Sequence, residues 1–306
     1  MKQKAGMVLV NTSEVYSFAS EADSSNTRRA YDADWRDFAA WCSTHNYTTL
    51  PVQADKLALY LRHCAEKLGK RISTVKRRVA AISETHKRFG LPSPASEWVV
   101  KNTIKRLSQN EPKSKKSKKP LMVEDLKLML EHLPSTLAGA RDKTILLIGF
   151  CGALKRSELV SLNIEDISEA AEGVVLSFKN RKVGIPFGAD VATCPVRALK
   201  HWLRTAKISA GPVFTAVTKF DRTRPTRLSA RMVSEVVKKY CKIIGKREAH
   251  FSGHSLRAGL AVSASLAGAS ESSIQKQTGL SNLLVLRKYT GDADIFKENA
   301  VSKLRL

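Results

Sequence analysis

The sequence contains little of what marks a disulfide-bonded, metal-binding or membrane-spanning protein. Its five cysteines are widely scattered and form no CxxC pair, so neither a disulfide framework nor a zinc site is indicated. We expect them to be small core residues in a reducing compartment. No apolar run approaches the roughly 18–20 residues of a membrane span, and the amino-terminal region lacks the apolar core of a signal peptide. These absences predict a cytoplasmic protein without a membrane partner.

Acidic residues are scarce relative to basic ones. The chain has 28 Asp and Glu against 52 Lys and Arg, which gives a net charge of +24. Residues 1–120 and residues 121–306 each carry a surplus of 12, so we expect both halves to face an anion, as in a clamp. A surplus of this size indicates a nucleic acid, because Lys and Arg that neutralise phosphates release condensed counterions. Mere solubility and binding to acidic lipid are the alternatives.

The length of 306 residues, with a hydrophobic content of 43%, predicts two domains that each have a core. Residues 111–120 interrupt this composition with five lysines, two serines and flanking prolines, which cannot form a packed core. We therefore predict a domain at residues 13–111, a basic linker at 112–120 and a second domain at 121–306. The linker is a solvated tether, a strap along a DNA backbone, or both.

The first domain is predicted to be a small bundle of four helices. We place these helices from Ser25 or Asn26 to Cys42, from Ala54 to Leu68, from after Ser73 to Phe89, and from Glu97 to Leu107. Leu68 and Phe89 are expected to face the core. Basic residues on the other faces favour contact with phosphates, although such faces are often only solvated. The candidate DNA-binding residues, including two in the linker, are Arg28, Lys76, Arg77, Arg78, Lys101, Lys105, Lys115 and Lys116.

The second domain mixes helices with a β-hairpin. Strand-forming residues predict the hairpin at Gly173–Phe178 and Val183–Phe187, around a basic turn. Helical periodicity predicts Val123–Leu133, Ala140–Ala153, Pro195–Ala206, Ser229–Ile244, His254–Ala267, Ser270–Thr278 and a last helix from about Asp292.

Two residues three positions apart suggest phosphate chemistry. His254 and Arg257 project from the same face of a helix, which sets an imidazole that exchanges protons near neutrality beside a guanidinium fork that matches phosphate oxygens. Such a pair alone is more often a surface or cap pair, and Tyr289 alone is more often a core or interface residue. Together with the strong positive charge they favour phosphodiester chemistry, which without a metal needs several cations around the phosphate.

At this point the chain resembles the tyrosine recombinase (phage integrase) family over nearly its whole length from about residue 13. The resemblance rests on an ordered set of motifs: Asn26–Cys42, Gly152–Leu159, Cys194–Leu199, Gly211–Phe214, His254–Gly259, Thr278–Leu280 and Arg287–Tyr289. It implies a mainly α fold, with an N-terminal α-helical core-binding (SAM-like) domain and an α+β catalytic domain that has a small antiparallel sheet. It also implies site-specific recombination of double-stranded DNA by a clamp-shaped protein.

The resemblance also implies residue roles. Tyr289 would attack a backbone phosphate and form a 3′-phosphotyrosyl link, Arg257 would hold that phosphate, and His254 would assist proton transfer. Lys179 would protonate the departing 5′-oxygen, with Lys182 as the alternative. The link stores bond energy, so neither a metal nor another cofactor is expected.

The family further implies a tetramer on two DNA sites, associated with the nucleoid. Accessory DNA-bending proteins are possible partners. The helix from about Asp292 would dock into a neighbouring protomer or pack on its own domain.

Two positions depart from the family pattern. Lys155 stands where the family has arginine, which keeps the charge but loses the bidentate fork; Arg156 would point about 100° away on a helix and is not expected to substitute. Leu280 stands where the family has a hydrogen-bond donor. We expect a competent but weakened active site that includes Lys155. The alternatives are a non-catalytic DNA-binding protein on the same scaffold and a type IB topoisomerase-like enzyme.

Overall fold

The computed structural model describes residues 25–110 and 118–280. The chain divides into two compact units, residues 1–115 and 116–306. In the part of the chain described, no helix is both long and apolar enough to cross a membrane.

The first unit is a bundle of four helices, as predicted. They are α1 (Ser25–Thr44), α2 (Ala54–Arg62), α3 (Ile72–Arg88) and α4 (Trp98–Asn110). Apolar residues at helical spacing fill its core, with Phe38, Leu61 and Ile82 fully buried. Helix α2 continues as a single π-helical turn over His63–Lys67.

Two core predictions in the first unit are wrong. Leu68 and Phe89 are both exposed, because each follows the last turn of its helix and no longer keeps the helical spacing. A glycine in the left-handed region comes directly after each of them, at Gly69 and Gly90, and turns the chain away.

The second unit combines seven helices with two small antiparallel sheets among its described residues. The helices are α5 (Val123–Glu131), α6 (Leu137–Cys151), α7 (Arg156–Ser161), α8 (Pro195–Thr205), α9 (Ala230–Ile243), α10 (Gly253–Leu266) and α11 (Glu271–Thr278). The strands are β1 (Ile167–Ala170), β2 (Gly173–Phe178), β3 (Arg181–Pro186), β4 (Thr215–Val217) and β5 (Thr223–Arg227). The first three strands form one sheet in the order β1-β2-β3, and β4 pairs with β5.

The hairpin of β2 and β3 is tighter than the sequence predicts. Phe178 pairs with Arg181, so only Lys179 and Asn180 remain for the turn, and β3 begins two residues earlier than expected. The branched residues Val183 and Ile185 are buried. The alternate residues Lys182 and Pro186 are exposed.

Helix α10 is packed against the first residues of the second unit. A Cβ added at Gly259 would collide with the carbonyl oxygen of Leu121, so only glycine allows this close approach. The Leu121 amide donates to the Ser255 carbonyl at 2.9 Å, and the Lys119 amide donates to the His250 carbonyl at 2.9 Å. Residues 118–120, expected in the linker, are thus attached to the second unit.

Candidate active site

Helix α10 brings the predicted His254 and Arg257 to one site. Its cap is Ser252, whose hydroxyl accepts from the His254 amide at 3.3 Å; serine is a preferred residue at this position. The helix begins at Gly253, so His254 lies in the first turn and Arg257 one turn later. Both side chains therefore lie on one side of the helix near its amino end.

Arg257 is held inside the protein. The residue is 4% exposed, and its Nη1 donates to the Ala153 carbonyl oxygen at 2.7 Å. Burial lowers the pKa of Arg257, the nearby charge of Arg181 lowers it further, and Glu158 opposes both effects. An arginine remains charged in such surroundings, so the site contains a fixed and oriented cation.

His254 stands at the open edge of the same site. The residue is exposed, but the protein around the ring removes part of its hydration. This desolvation, followed by the charges of Arg257 and Arg156, lowers the pKa of His254 below the usual histidine value. The lowered pKa favours the neutral imidazole, which is the form that can accept a proton.

Lys155 and Arg156 were expected at two successive positions of one helix, but only Arg156 is helical. Lys155 is the cap of α7 with extended backbone, and its side chain is 63% exposed. Arg156 begins the helix, and its Nη1 donates to the Ser234 hydroxyl at 3.1 Å. The stem of Arg156 occupies the space that a side chain at Gly253 would need. Arg156 therefore reaches the amino end of α10. The premise that Lys155 and Arg156 are successive helical positions is wrong, because Lys155 precedes the helix.

The β2–β3 hairpin carries three cations with different surroundings. Lys179 is exposed in the turn, and Lys182 is exposed on β3. Arg181, which was not among the residues predicted from the sequence, is largely buried, with 21% of its side chain exposed. Its Nη2 donates to Glu158 Oε2 at 2.8 Å, and its Nη1 donates to the Thr278 carbonyl at 3.1 Å. The only signal in the sequence was a third cation in a basic hairpin.

The end of α11 closes one side of this cluster. The helix ends at Thr278, and Gly279 adopts the left-handed conformation with φ of 63°. Leu280 packs against an apolar cluster that contains Ala261, Val262 and Ile274. The position where the family has a hydrogen-bond donor is therefore part of a small apolar core.

Several predicted residues lie outside the described ranges. They are Tyr289, with the stretch Arg287–Tyr289, the helix expected from Asp292, and the linker residues Lys115 and Lys116. Within residues 25–110 and 118–280, no three His, Cys, Asp or Glu side chains are grouped as a metal site would require.

Most of the candidate DNA-binding residues of the first unit are at its surface. Lys76, Lys101 and Lys105 are exposed. Arg77 is exposed over 45% of its side chain while it pairs with Asp34 at 3.1 Å. Arg28 is half-buried.

Arg78 is the exception, and its prediction as a surface cation is wrong. It is 6% exposed because it lies three residues after Val75, on the side of α3 that faces the core. Its Nη1 donates to the Tyr60 hydroxyl at 2.8 Å, and it pairs with Asp34 and Asp37. Arg78 is therefore a paired cation inside the bundle.

Comparison with known proteins agrees with this geometry. The model of the phage integrase family matches residues 119–294, a range that includes the whole cationic site. The chain belongs to the phage integrase family. It is accordingly a tyrosine recombinase, an enzyme that breaks and rejoins DNA.

Two curated relatives match over most of the chain. An integrase/recombinase XerD homolog of Selenomonas ruminantium is 35% identical over 298 residues, which cover 93% of this chain and 86% of the relative. The recombinase Cre of Escherichia phage P1 is 23% identical over 85% of this chain and 82% of the relative.

Solved structures share the fold at low sequence identity. XerH site-specific recombinase in a post-cleavage complex with the palindromic difH substrate has a TM-score of 0.63 and 17% identity, over 92% of this chain and 80% of that one. The Tn1549 transposon integrase in complex with transposon right end DNA has a TM-score of 0.60 and 14% identity, over 96% and 97%. The predicted fold class, mainly α with small antiparallel sheets, is confirmed.

Proposed function

We propose that this recombinase acts at specific DNA sites through Tyr289. The phenolic oxygen forms a bond to a backbone phosphorus while the bond from phosphorus to the 5′-oxygen breaks. The products are a 3′-phosphotyrosyl link and a free 5′-hydroxyl, and attack of a 5′-hydroxyl on the link reverses the step. The observation that carries the proposal is the placement of a buried, oriented Arg257 and an exposed His254 in the first turns of one helix.

Arg257 holds the scissile phosphate in this proposal. The contact of Nη1 with the Ala153 carbonyl at 2.7 Å fixes the plane of the guanidinium. A guanidinium has five N–H donors, and its fork matches two phosphate oxygens. Burial removes competing water, which strengthens the electrostatic interaction with the negative charge that develops in the transition state.

His254 and the hairpin lysine move the protons. The neutral imidazole of His254 takes the proton of the phenol or positions the phosphate, since an ordinary tyrosine titrates near ~10 and needs this help to attack at neutral pH. The Lys179 ammonium gives a proton to the departing 5′-oxygen. Lys182 remains the alternative donor because both lysines are exposed on the same hairpin.

The site is weakened relative to the family pattern. Lys155 provides a point charge where the family has the two-pronged guanidinium of an arginine. Leu280 has no hydrogen-bond donor in its side chain. Loss of one preorganised donor costs on the order of ~10²–10³ in rate. We infer an enzyme that is slow or conditional but competent, in which Lys155 extends from the α7 cap toward the phosphate.

Double-stranded DNA is the proposed partner, because similar recombinases have been solved in complexes with DNA. The exposed residues Lys76, Lys101 and Lys105 of the first unit, with Arg28 and Arg77, would contact its phosphates, as would Lys115 and Lys116. We further propose domains at residues 13–111 and 121–306 around the linker, and a tetramer on two sites with the possible help of DNA-bending proteins. The place of action would be the cytoplasm, at the nucleoid.

A nicked suicide DNA substrate tests the proposal. The expected result is a protein–DNA adduct on a denaturing gel that Tyr289→Phe abolishes while DNA binding remains. Binding without an adduct would instead support the non-catalytic alternative, which the solvent-exposed Lys155 and the apolar packing of Leu280 favour. Relaxation of unrelated supercoiled plasmids without strand exchange would support a topoisomerase. The substrate has to carry the target sequence, which is identified by recovering the DNA that the protein protects.

A further inference from the structure

Arg181 connects three segments of the candidate active site. It is the first residue of β3, directly after the turn that carries Lys179. Its guanidinium extends to α7 and to the end of α11. The side chain is 21% exposed, so it belongs to the interior of the site more than to its surface.

Both ends of the Arg181 fork are engaged. Nη2 donates to Glu158 Oε2 at 2.8 Å, a charge-assisted contact. Nη1 donates to the carbonyl oxygens of Thr278 at 3.1 Å and Gln277 at 3.4 Å. These are among the last carbonyls of α11, where the helix dipole favours a cation. Both Nη atoms of Arg181 therefore donate to protein oxygens, while Nε is buried without a hydrogen-bond partner. The engaged Nη atoms suit a residue that positions other groups.

Glu158 extends the connection to the position of the altered lysine. The same oxygen, Oε2, accepts from the Lys155 backbone amide at 2.8 Å, and Oε1 lies 3.9 Å from Lys155 Nζ. One carboxylate thus joins Arg181 to the α7 cap.

Glu158 also interacts electrostatically with a second arginine, Arg257. Its negative charge and the positive charge of Arg181 act on Arg257 in opposite directions. If Arg181 were absent, the largely buried Glu158 carboxylate would lose its closest cation and keep only Lys155, whose Nζ is 3.9 Å away. A carboxylate in such surroundings seeks another cation.

The contact at α11 fixes where the chain leaves toward Tyr289. Gly279 follows the helix in the left-handed conformation, and Arg181 Nη1 lies 3.3 Å from the position that a Cβ of Gly279 would take. The backbone at this point is packed on the guanidinium. Tyr289 follows ten residues later in the sequence.

We propose that Arg181 is a positioning residue for the reaction: it anchors the start of the segment that leads to Tyr289, and it neutralises Glu158 so that Arg257 stays available to the DNA phosphate. The proposal rests on the proposed function. It assigns a task to a residue that the family motifs quoted above do not include.

The test compares variants by the single-turnover rate of adduct formation at saturating suicide substrate. Arg181→Met keeps the length of the side chain and removes its charge and donors. We expect it to lower the rate about tenfold or more, the effect of losing one charge-assisted contact, with little change in DNA affinity. Arg204→Met is the matched control, since Arg204 is an exposed arginine on α8 outside the site, and it is expected to react at the wild-type rate.

A second variant separates positioning from simple structural support. Glu158→Gln added to Arg181→Met removes the negative charge that Arg181 no longer neutralises, and the amide oxygen can still accept from the Lys155 amide. We expect the double variant to react several times faster than Arg181→Met, because Arg257 no longer has a competing partner. If Arg181→Met unfolds at a lower temperature, Arg181→Gln with and without Glu158→Gln gives the same comparison in a variant that removes the charge but keeps hydrogen-bond donors.

Each outcome has a distinct meaning. A wild-type protein that forms no adduct contradicts the proposed function and not this inference in particular. An Arg181→Met protein that reacts at the wild-type rate overturns the inference. A slow Arg181→Met protein that Glu158→Gln fails to accelerate also overturns it, since lost packing alone would explain that result.

Discussion

Lys155 has the freedom that a phosphate-binding residue needs but lacks the geometry. Its side chain is 63% exposed, and its nearest described anion, Glu158, is 3.9 Å away, so no strong contact restrains it. A lysine binds a phosphate as a point charge, whereas an arginine adds a second, parallel hydrogen bond.

Lys155→Arg is therefore expected to raise the rate of adduct formation several-fold. Lys155→Met should lower the rate, since it removes the charge and retains the cap hydrogen bond, which uses the backbone amide. The measurement is the single-turnover rate on the suicide substrate. Equal rates for Lys155→Arg and the wild type would show that the departure from the family pattern has no cost.

His254 determines how the rate responds to acid. Because desolvation and then two neighbouring cations lower its pKa, the ring stays neutral as the pH falls through about 6.5, the ordinary value. We expect the cleavage rate to fall through protonation of His254 only below that pH. Arg156→Met removes one of the two cations, so the pKa of His254 should rise. The acid limb of the pH profile, in which the rate falls with acid, should then move to higher pH. Rates measured from pH 5 to 8 test this, and an acid limb that stays in place or moves to lower pH contradicts it.

At the scale of elements, α10 depends on one close contact. Gly259 lies against the Leu121 carbonyl, and a methyl group there would overlap the backbone. Gly259→Ala should lower the free energy of unfolding of the second unit by about 1–3 kcal/mol or more, the usual cost of overpacking. The matched control is Gly184→Ala, since no atom lies within 4 Å of its added Cβ. Chemical denaturation of both variants gives the comparison, and equal loss in the two would contradict the role of this contact.

Long periodic segments made most elements predictable. Helices α5, α6, α8, α9, α10 and α11 begin and end within three residues of the predicted bounds, because each presents an apolar face with a recognisable start or stop. Strands β1, β4 and β5 were missed since they are short, and β1 and β5 are largely exposed. Helix α7 has only six residues, too few for its own period to show.

The site was predictable only where one helix carries it. The spacing of His254 and Arg257 is a local property, and helical geometry alone places them together. Arg181 and Arg156 depend on contacts with residues far away in the sequence, at Glu158, Thr278 and Ser234. No local pattern encodes such contacts. Arg78 shows the converse, since a run of three basic residues on α3 concealed that one of them faces the core.

For the whole molecule, the charge of +24 predicts a steep dependence of DNA binding on salt. Each phosphate contact contributes about 0.9 to the slope of log K against log salt concentration. The double variant Lys101→Met, Lys105→Met should therefore reduce the magnitude of the slope by about 2 if both exposed residues contact phosphates. Binding assays across a range of salt concentrations measure this. An unchanged slope would mean that this face of α4 is only solvated.

Arg78→Met is the informative comparison for the salt experiment. It removes one positive charge, as each lysine variant does, but the charge is buried and paired with Asp34 and Asp37. Removing one partner of a buried pair costs about 3–5 kcal/mol. We expect lower stability of the first unit with an unchanged salt slope, and a reduced slope in folded Arg78→Met protein would contradict its assignment as an internal cation.

Residues 118–121, at the end of the linker, are hydrogen-bonded to the segment that carries the reactive groups. Lys119 is tied to His250 and Leu121 to Ser255, immediately before and just inside the helix that bears the imidazole and the guanidinium. Two backbone hydrogen bonds therefore join the first described residues of the second unit to the helix of His254 and Arg257 and to the segment just before it. A displacement of residues 118–121 would act on that helix directly.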